Sequence, residues 1–217
     1  MKLERMDDFF AARVDGYDEH MRTTIEGATD FYAYTASLLP AEKGARVLDL
    51  GCGTGLELEE YFRINPEADV TGIDLSEAML KALKKKIPDR KIHLIHGSYF
   101  DVPFGEKEYD AAVSVESLHH FPADKKETLY RKLFTALKDN GYFVLTDYFA
   151  ESEELEKEYF QNLKQLKEEQ GLSESEFFHY DTPLTVDHEV RILRQAGFSD
   201  VQILFKWGST YTVLARR

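Results

Sequence analysis

The chain has 217 residues, 43% of them hydrophobic and 13% aromatic, enough to bury a full core in one globular domain. Its 40 acidic residues against 27 Lys and Arg give a formal charge of −13, which repels a phosphate backbone over most of the surface and argues against broad nucleic-acid binding. The single cysteine, Cys52, excludes an internal disulfide and a cysteine-cluster zinc site, and no metal is expected.

The start, MKLERMDDFFAARVDGYDEHM, lacks the apolar centre of a secretion signal, and no apolar run approaches the about 18 residues of a membrane span. A cytoplasmic protein without a membrane span is expected. The first forty residues, including TTIEGATDFYAYTASLLP, read as helices ahead of the first strand. Short apolar runs then recur about 20 to 30 residues apart, with helix-compatible sequence between them. They are ARVLDL (45–50), ADVTGIDL (68–75), KIHLIHG (91–97), YDAAVSVE (109–116) and GYFVLTDY (141–148). That alternation predicts βαβ units, a parallel sheet and the α/β class. Ser76 is placed to cap EAMLKALKKK, and Pro122 to open PADKKETLYRKLFTALKDNG, which Gly141 would close.

The segment 151–182 stands outside the alternation. ESEELEKEYFQNLKQLKEEQG places Leu155, Tyr159, Leu163 and Leu166 on one helical stripe, and beyond Gly171 the pair Ser173 and Glu176 has the spacing of a capping box for a second helix. Two surface helices covering a sheet edge would explain it. A lid is preferred, because the segment leaves the C-terminal end of a strand, where open α/β sheets bind ligands. The tail VDHEVRILRQAGFSDVQILFKWGSTYTVLARR reads as a helix ending near Gly197 and two strands hinged about WGST.

The stretch VLDLGCGTG (47–55) sets three glycines in five residues directly after the first strand. Gly51, Gly53 and Gly55 allow close backbone approach of a ligand and a tight turn into a helix, which points to a nucleotide-like molecule. The nicotinamide fingerprint G-x-G-x-x-G/A does not fit, since the third glycine comes one position early and Leu56 stands where a small residue is needed. Nor is there a Lys and Ser/Thr pair for a phosphate loop. Asp74, ending the second strand, can accept both hydroxyls of a ribose, or else cap the helix that starts near Ser76. Asp49, just ahead of the glycines, is unwelcoming to a pyrophosphate and welcoming to an ammonium or sulfonium; alternatively it hydrogen-bonds the glycine turn. Adenosine, a sulfonium, an ammonium and no phosphate are combined in S-adenosyl-L-methionine.

At these residues the chain resembles the class I S-adenosylmethionine-dependent methyltransferases, nearest in pattern to the ubiquinone and menaquinone biosynthesis group, from about Tyr17 to Gly197. VLDLGCGTG is similar to the family's first motif and VTGIDLSEAML to its second; HGSYFDVPFGEKEYDAAVSVESLHHF and LKDNGYFVLTD resemble the two that follow. The resemblance implies a Rossmann-like fold, with a mostly parallel seven-stranded sheet, helices on both faces and a helical lid. It also implies S-adenosyl-L-methionine as cofactor and in-line methyl transfer to a small-molecule acceptor. One domain over 1–217 is expected: an N-terminal helical cover (1–40), a cofactor-binding core (41–150), the lid insert (151–182) and a C-terminal helix and strand pair (183–217).

Carried over by position, Gly51, Gly53 and Gly55 would line the methionine end together with Asp49 and Cys52 of the same stretch. Asp74 would hold the ribose, with Leu75 and Met79 against adenine. Ser98 stands where the family usually has Asp for the adenine amino group, and Tyr99 or Asp101 could share that contact. Tyr17, in GYDEH, matches a tyrosine that folds over the cofactor, or is an ordinary amphipathic-helix residue. Glu116 would lie near the methyl group, or be a solvated strand-end acid. For a general base the candidates are His119, His120, Tyr148, His179 and Tyr180, and none is selected: the His pair suits a structural role equally, and FFHY (177–180) suits a packed lid. Other readings are a non-catalytic or cofactor-modifying S-adenosylmethionine-binding protein, a tRNA-related modifier and, against the glycine spacing, a nicotinamide-dependent reductase. Neither the acceptor nor the oligomeric state is legible in the sequence.

Overall fold

In the computed structural model, which describes residues 1–173 and 176–217, the five apolar runs form β1 (Arg46–Leu50), β2 (Asp69–Asp74), β3 (Ile92–His96), β4 (Tyr109–Val115) and β5 (Leu137–Tyr148). All five pair in parallel. The tail adds β6 (Asp200–Trp207) and β7 (Thr210–Arg216), joined through Gly208, with β7 antiparallel to both β5 and β6. Among the described residues the sheet order is β3-β2-β1-β4-β5-β7-β6, the mostly parallel seven-stranded sheet expected of a Rossmann-like fold. Central β1 and β4 are aliphatic nearly throughout and buried on both sides, whereas β3 at the edge is half-exposed.

The connecting helices are α3 (Leu56–Ile64), α4 (Glu77–Lys86), α5 (Ala123–Ala136) and α7 (Val186–Gln195); α1 (Met6–Thr24) and α2 (Ala28–Ser37) precede β1, and α6 (Glu153–Gln170) follows β5. Ser76 caps α4, its Oγ accepting from the Met79 amide at 3.4 Å, and Met79, Leu80 and Leu83 turn inward while Lys84 to Lys86 stay on the polar side. One sheet face is packed by α5 and α7 through Leu129, Leu133, Leu193 and Phe198. The other is packed by α2 and α3 through Phe31, Tyr32, Leu58 and Tyr61. An ion pair is sealed between α5 and α7: Lys126 donates to Glu189 at 2.7 Å, Tyr130 donates to the other Glu189 oxygen, and neither charged side chain reaches solvent.

Three expectations change. Helix α5 ends at Ala136 and not at Gly141, because buried Leu137 already pairs with Tyr109 in the sheet; residues 138–141 then bulge before Tyr142 pairs with Ala111. Gly141 is needed there because a Cβ would stand 2.9 Å from the Lys138 carbonyl. Leu155 lies on the solvent side of α6, 37% exposed, and the buried stripe is offset by one residue to Glu156, whose carboxylate accepts from the Thr185 amide (2.7 Å) and bonds His188 Nδ1 (2.6 Å). Finally, α6 closes at left-handed Gly171 as expected, but no second helix occupies 176–182. The centre of the suggested capping box, 174–175, lies outside the described residues. Residues 176–185 instead form an extended strap: Phe178 pairs with Arg5, the Met6 amide donates to the Phe177 carbonyl (3.0 Å), and the His179 amide to that of Glu4 (3.0 Å). Pairing to the N-terminal segment satisfies backbone groups that a helix would otherwise have satisfied within itself, and Pro183 further disfavours a helix.

Candidate functional site

Strand order reverses between β1 and β4, so the loops after them diverge and leave a crevice at their C-terminal ends. The β1 loop is left-handed at Gly51 (φ +77°), Gly53 (+48°) and Gly55 (+74°). A Cβ on Gly51 would stand 2.7 Å from Cβ of Ser117 in the facing loop, whereas one on Gly53 would meet nothing closer than 3.9 Å and project into the opening. Asp74 braces this loop: one carboxylate oxygen accepts from the Gly53 amide (2.8 Å) and the other from the Ser76 amide (2.7 Å). It therefore makes both the glycine-turn bond suggested for Asp49 and the helix-start bond. Asp49 is fully buried behind the loop, and among the described residues neither of its oxygens, nor Oε1 of Glu57, has a hydrogen-bond partner. Burial, then the neighbouring Glu57 carboxylate, push the Asp49 pKa well above the usual carboxylate range.

The crevice holds a cavity of about 70 Å³. Tyr17, Gly51, Gly53, Asp74, Leu75, Met79, Ser98, Tyr99 and Glu116 line it, nine of the twelve residues singled out for the cofactor; Asp49, Cys52 and Gly55 stand behind. Cys52 packs its sulfur against Gly72, where a Cβ would come within 2.8 Å, and Gly55 abuts Leu83. Ser98 Oγ accepts from the Phe100 amide at 3.2 Å, the Tyr99 hydroxyl faces Ser117 Oγ at 3.2 Å, and Asp101 is exposed and does not line the cavity. The outer wall consists of Met6, Asp7 and Phe10 from α1 and Phe177 from the strap. Phe177 belongs to the FFHY stretch expected in the lid; motif reading misses Met6, Asp7 and Phe10, although Phe10 and Tyr17 are seven residues apart, which sets them on one helical face. The wall carries Asp7, Asp74 and Glu116 and no Lys or Arg, which suits a cationic ligand.

A second cavity, about 800 Å³, adjoins the first and shares Phe10, Tyr17, Glu116 and His120 with it. Glu116 is a non-glycine residue at φ +49°, a conformation that stores strain and recurs at functional sites; its carboxyl accepts from Thr210 Oγ1 at 3.1 Å. Burial, then Asp147, push its pKa up to about 7. His119 donates from Nδ1 to Asp147 (2.5 Å), which also accepts from the Leu118 (2.8 Å) and Tyr148 (2.9 Å) amides. Burial opposes the His119 charge, yet Asp147 and then Asp181 outweigh it and hold its pKa well above the ordinary histidine value. Burial works the other way on Asp181, but its bonds to His119 and His120 hold its carboxyl well below the usual range. Burial, then the His119 charge, lower the pKa of His120.

His179 lies flat on Phe9, ring centroids 3.4 Å apart, and burial, then His120, bring its pKa down to about 4. Tyr148 reaches the chamber wall and bonds the Tyr159 hydroxyl of α6 at 3.2 Å. Tyr180 lines neither cavity; its carbonyl lies 3.3 Å from His120 Nδ1. Sequence reasoning missed Asp147 and Asp181. For Asp147 the available signal is an acid ending a strand, as Asp74 does; for Asp181 it is an acid two residues after His179.

Residues 47–141 match a family described as a methyltransferase domain. The carboxy-S-adenosyl-L-methionine synthase of Nautilia profundicola is 26% identical over 220 residues, 96% of this chain and 89% of that protein. The demethylmenaquinone methyltransferase of Listeria welshimeri is 35% identical over 117 residues, 52% of this chain and 49% of that protein. Among solved structures, one from Nostoc punctiforme overlays with a TM-score of 0.73 at 21% identity, covering all of this chain, which spans 63% of that one. Human N-acetylserotonin methyltransferase in complex with S-adenosylmethionine overlays at 0.67 and 17% identity, covering 97% of this chain and 56% of that one. These overlays establish the fold. Residues 47–141 thus carry a methyltransferase domain of the S-adenosyl-L-methionine-dependent kind, enzymes whose cofactor is S-adenosyl-L-methionine, within a fold shared over the whole chain. Among the described residues no helix is long and apolar enough to cross a membrane.

Proposed function

We propose that the protein methylates a small-molecule acceptor seated in the larger chamber, with S-adenosyl-L-methionine in the crevice between β1 and β4. The observation that carries this reading is the about 800 Å³ chamber sharing a wall with the crevice. Its size is that of ligand sites, about 300 to 1,000 Å³, and its aromatic and imidazole lining suits a compact organic molecule.

The residues at the crevice fit the cofactor. Gly53 leaves bare backbone facing the opening, and each Asp74 oxygen accepts one backbone bond and retains a lone pair for a ribose hydroxyl. Asp49 supplies a buried acid without a partner behind the methionine end. In this reading Gly51 and Gly53 flank that end, Cys52 and Gly55 shape the loop, Leu75 and Met79 pack on adenine, and Ser98 and Tyr99 meet its edge. Tyr17 and Glu116 stand at the boundary with the acceptor. The cofactor brings an already activated sulfonium methyl, so the chain's task is alignment of the acceptor at about 3 Å and exclusion of water. Residues 1–40 and 151–182 act as covers over a core of 41–150, and residues 183–217 complete the sheet. At about 70 Å³ the crevice is too small for a nucleoside, so Met6, Phe10 and Phe177 must shift outward on binding.

Incubation with methyl-labelled cofactor and a metabolite extract tests the proposal. Label should enter the small-molecule fraction with release of S-adenosylhomocysteine; label confined to RNA or protein would overturn it. Modification of the cofactor itself is the second reading, favoured by the name of the Nautilia relative, which matches 96% of this chain. In the same assay it would appear as a mass gain on the cofactor.

A further inference from the structure

We propose that His119, His120 and Asp181 form a site for one divalent first-row transition cation, with a coordination position open to the chamber. Asp181 Oδ1 lies 3.5 Å from His119 Nε2 and 3.2 Å from His120 Nδ1, and all three donor atoms fall within 4.8 Å of one another. Metal bonds of about 2.0 to 2.1 Å at tetrahedral angles set donors about 3.3 to 3.4 Å apart, which both Asp181 separations match closely.

The surroundings are those of a metal site. His119 coordinates through Nε2 while its Nδ1–H is held by Asp147, and that carboxylate is fixed in turn by the Leu118 and Tyr148 amides; such a carboxylate behind a ligating imidazole orients it and raises its basicity. Asp181 is held in place by the next residue, as the Thr182 amide and hydroxyl both donate to the His119 carbonyl, at 2.9 and 3.3 Å. A second grouping, Glu116 with His119 and Asp147, would use the nitrogen already bonded to Asp147 and is a hydrogen-bonded set. Four of the chain's seven histidines, His20, His119, His120 and His179, line this one cavity, a concentration that packing alone does not call for.

Two imidazoles and one carboxylate select a zinc-like ion over magnesium or calcium, which prefer all-oxygen shells. Binding releases the proton shared between His119 Nε2 and Asp181 and moves the His120 proton from Nδ1, which faces the Tyr180 carbonyl at 3.3 Å, to Nε2, so the cation meets two neutral imidazoles and one carboxylate. The cation would fasten the strap, through Asp181, to the turn after β4. It would also hold an acceptor by an oxygen or sulfur atom and lower the pKa of that group. The cation site stands apart from the methyl-transfer reading; its use in holding an acceptor rests on it.

Cobalt(II) is the probe. The full chain, stripped with a chelator, should bind one equivalent with the visible absorption of a four- or five-coordinate N/O site, and zinc(II) should bleach it. Asp181→Asn changes a half-exposed side chain and should weaken cobalt affinity at least about tenfold; Asp147→Asn should weaken it about 10- to 100-fold by loosening His119. Circular dichroism and binding of S-adenosylhomocysteine, measured on the same samples, report folding and the crevice separately. If Asp147→Asn does not fold, Asp181→Asn and His120→Gln carry the test. A spectrum of hydrated cobalt alone, or unchanged affinity in both Asp181→Asn and His120→Gln, overturns the proposal. Cobalt binding without any binding of S-adenosylhomocysteine would leave the site standing and count against the cofactor assignment.

Discussion

Asp74→Ala separates the loop-bracing role that the structure shows for this carboxylate from the ribose contact proposed for it. As a brace it accepts from the amides of Gly53 and Ser76, at 2.8 and 2.7 Å. Hydrogen bonds to a charged group are worth about 1.5 to 3 kcal/mol each; water can enter the vacated crevice, so the lower end applies, about 3 kcal/mol for the pair. Against a domain stability of about 5 to 15 kcal/mol the variant remains folded at room temperature. As a ribose ligand the lost contact is worth a further 1.5 to 3 kcal/mol or so, about ten- to hundredfold in Kd. Urea denaturation measures the first term and calorimetric titration with S-adenosylhomocysteine the second. We expect both to fall. Lowered stability with unchanged Kd would reduce Asp74 to a brace, and no change in either would refute the reasoning outright. Asp74→Asn keeps one accepting oxygen and should fall between wild type and Ala in stability.

Asp49→Asn should stabilise the free protein at pH 8 and not at pH 4. A carboxyl whose folded pKa is raised, here by burial and then by Glu57, contributes most below its unfolded pKa and loses that contribution as pH rises toward the folded value; Asn removes the loss. Melting curves from pH 4 to 8 check this, and a difference independent of pH would contradict it. Glu189→Ala should destabilise by about 3 to 5 kcal/mol in chemical denaturation, because it strands the buried Lys126 ammonium between α5 and α7, and Lys126→Met in the same background should recover part of the loss. Hydrogen exchange should show α1 and the strap at 176–185 slowing when S-adenosylhomocysteine binds, since Met6, Phe10 and Phe177 must reseat around the ligand. Equal protection in both states would mean that the covers are static and that the ligand enters elsewhere.

What could be read from the sequence follows from how locally each feature is encoded. The strands β1 and β4 are largely apolar runs because both faces are buried, and the glycine loop declares itself because left-handed backbone at Gly51, Gly53 and Gly55 disfavours other residues on steric grounds. The end of α5 was misplaced for the opposite reason. Leu137 obeys the helical period of the preceding residues equally well, and a partner distant in sequence, Tyr109, decides its conformation.

The chamber is the extreme case of that problem. One wall is a helical face of α1 that includes Phe9, Phe10, Arg13, Tyr17 and His20; the others come from the turn after β4 and from the strap, with no spacing rule linking the three segments. His119 and His120 could be nominated from the motif that contains them. Asp181 could not, since only the pairing of residues 176–185 with the N-terminal segment brings it within 3.2 Å of His120. Glu116 shows the same limit at a single residue. It takes a positive φ beside the close pass of the β1 and β4 loops at Gly51 and Ser117, and it lines both cavities. The glycine loop and Asp74 are therefore written in contiguous motifs, whereas the chamber proposed for the acceptor is built from side chains that only tertiary packing brings together. If the proposed chamber holds the acceptor, variation in α1 and in the strap would change what is methylated while leaving every recognisable motif in place.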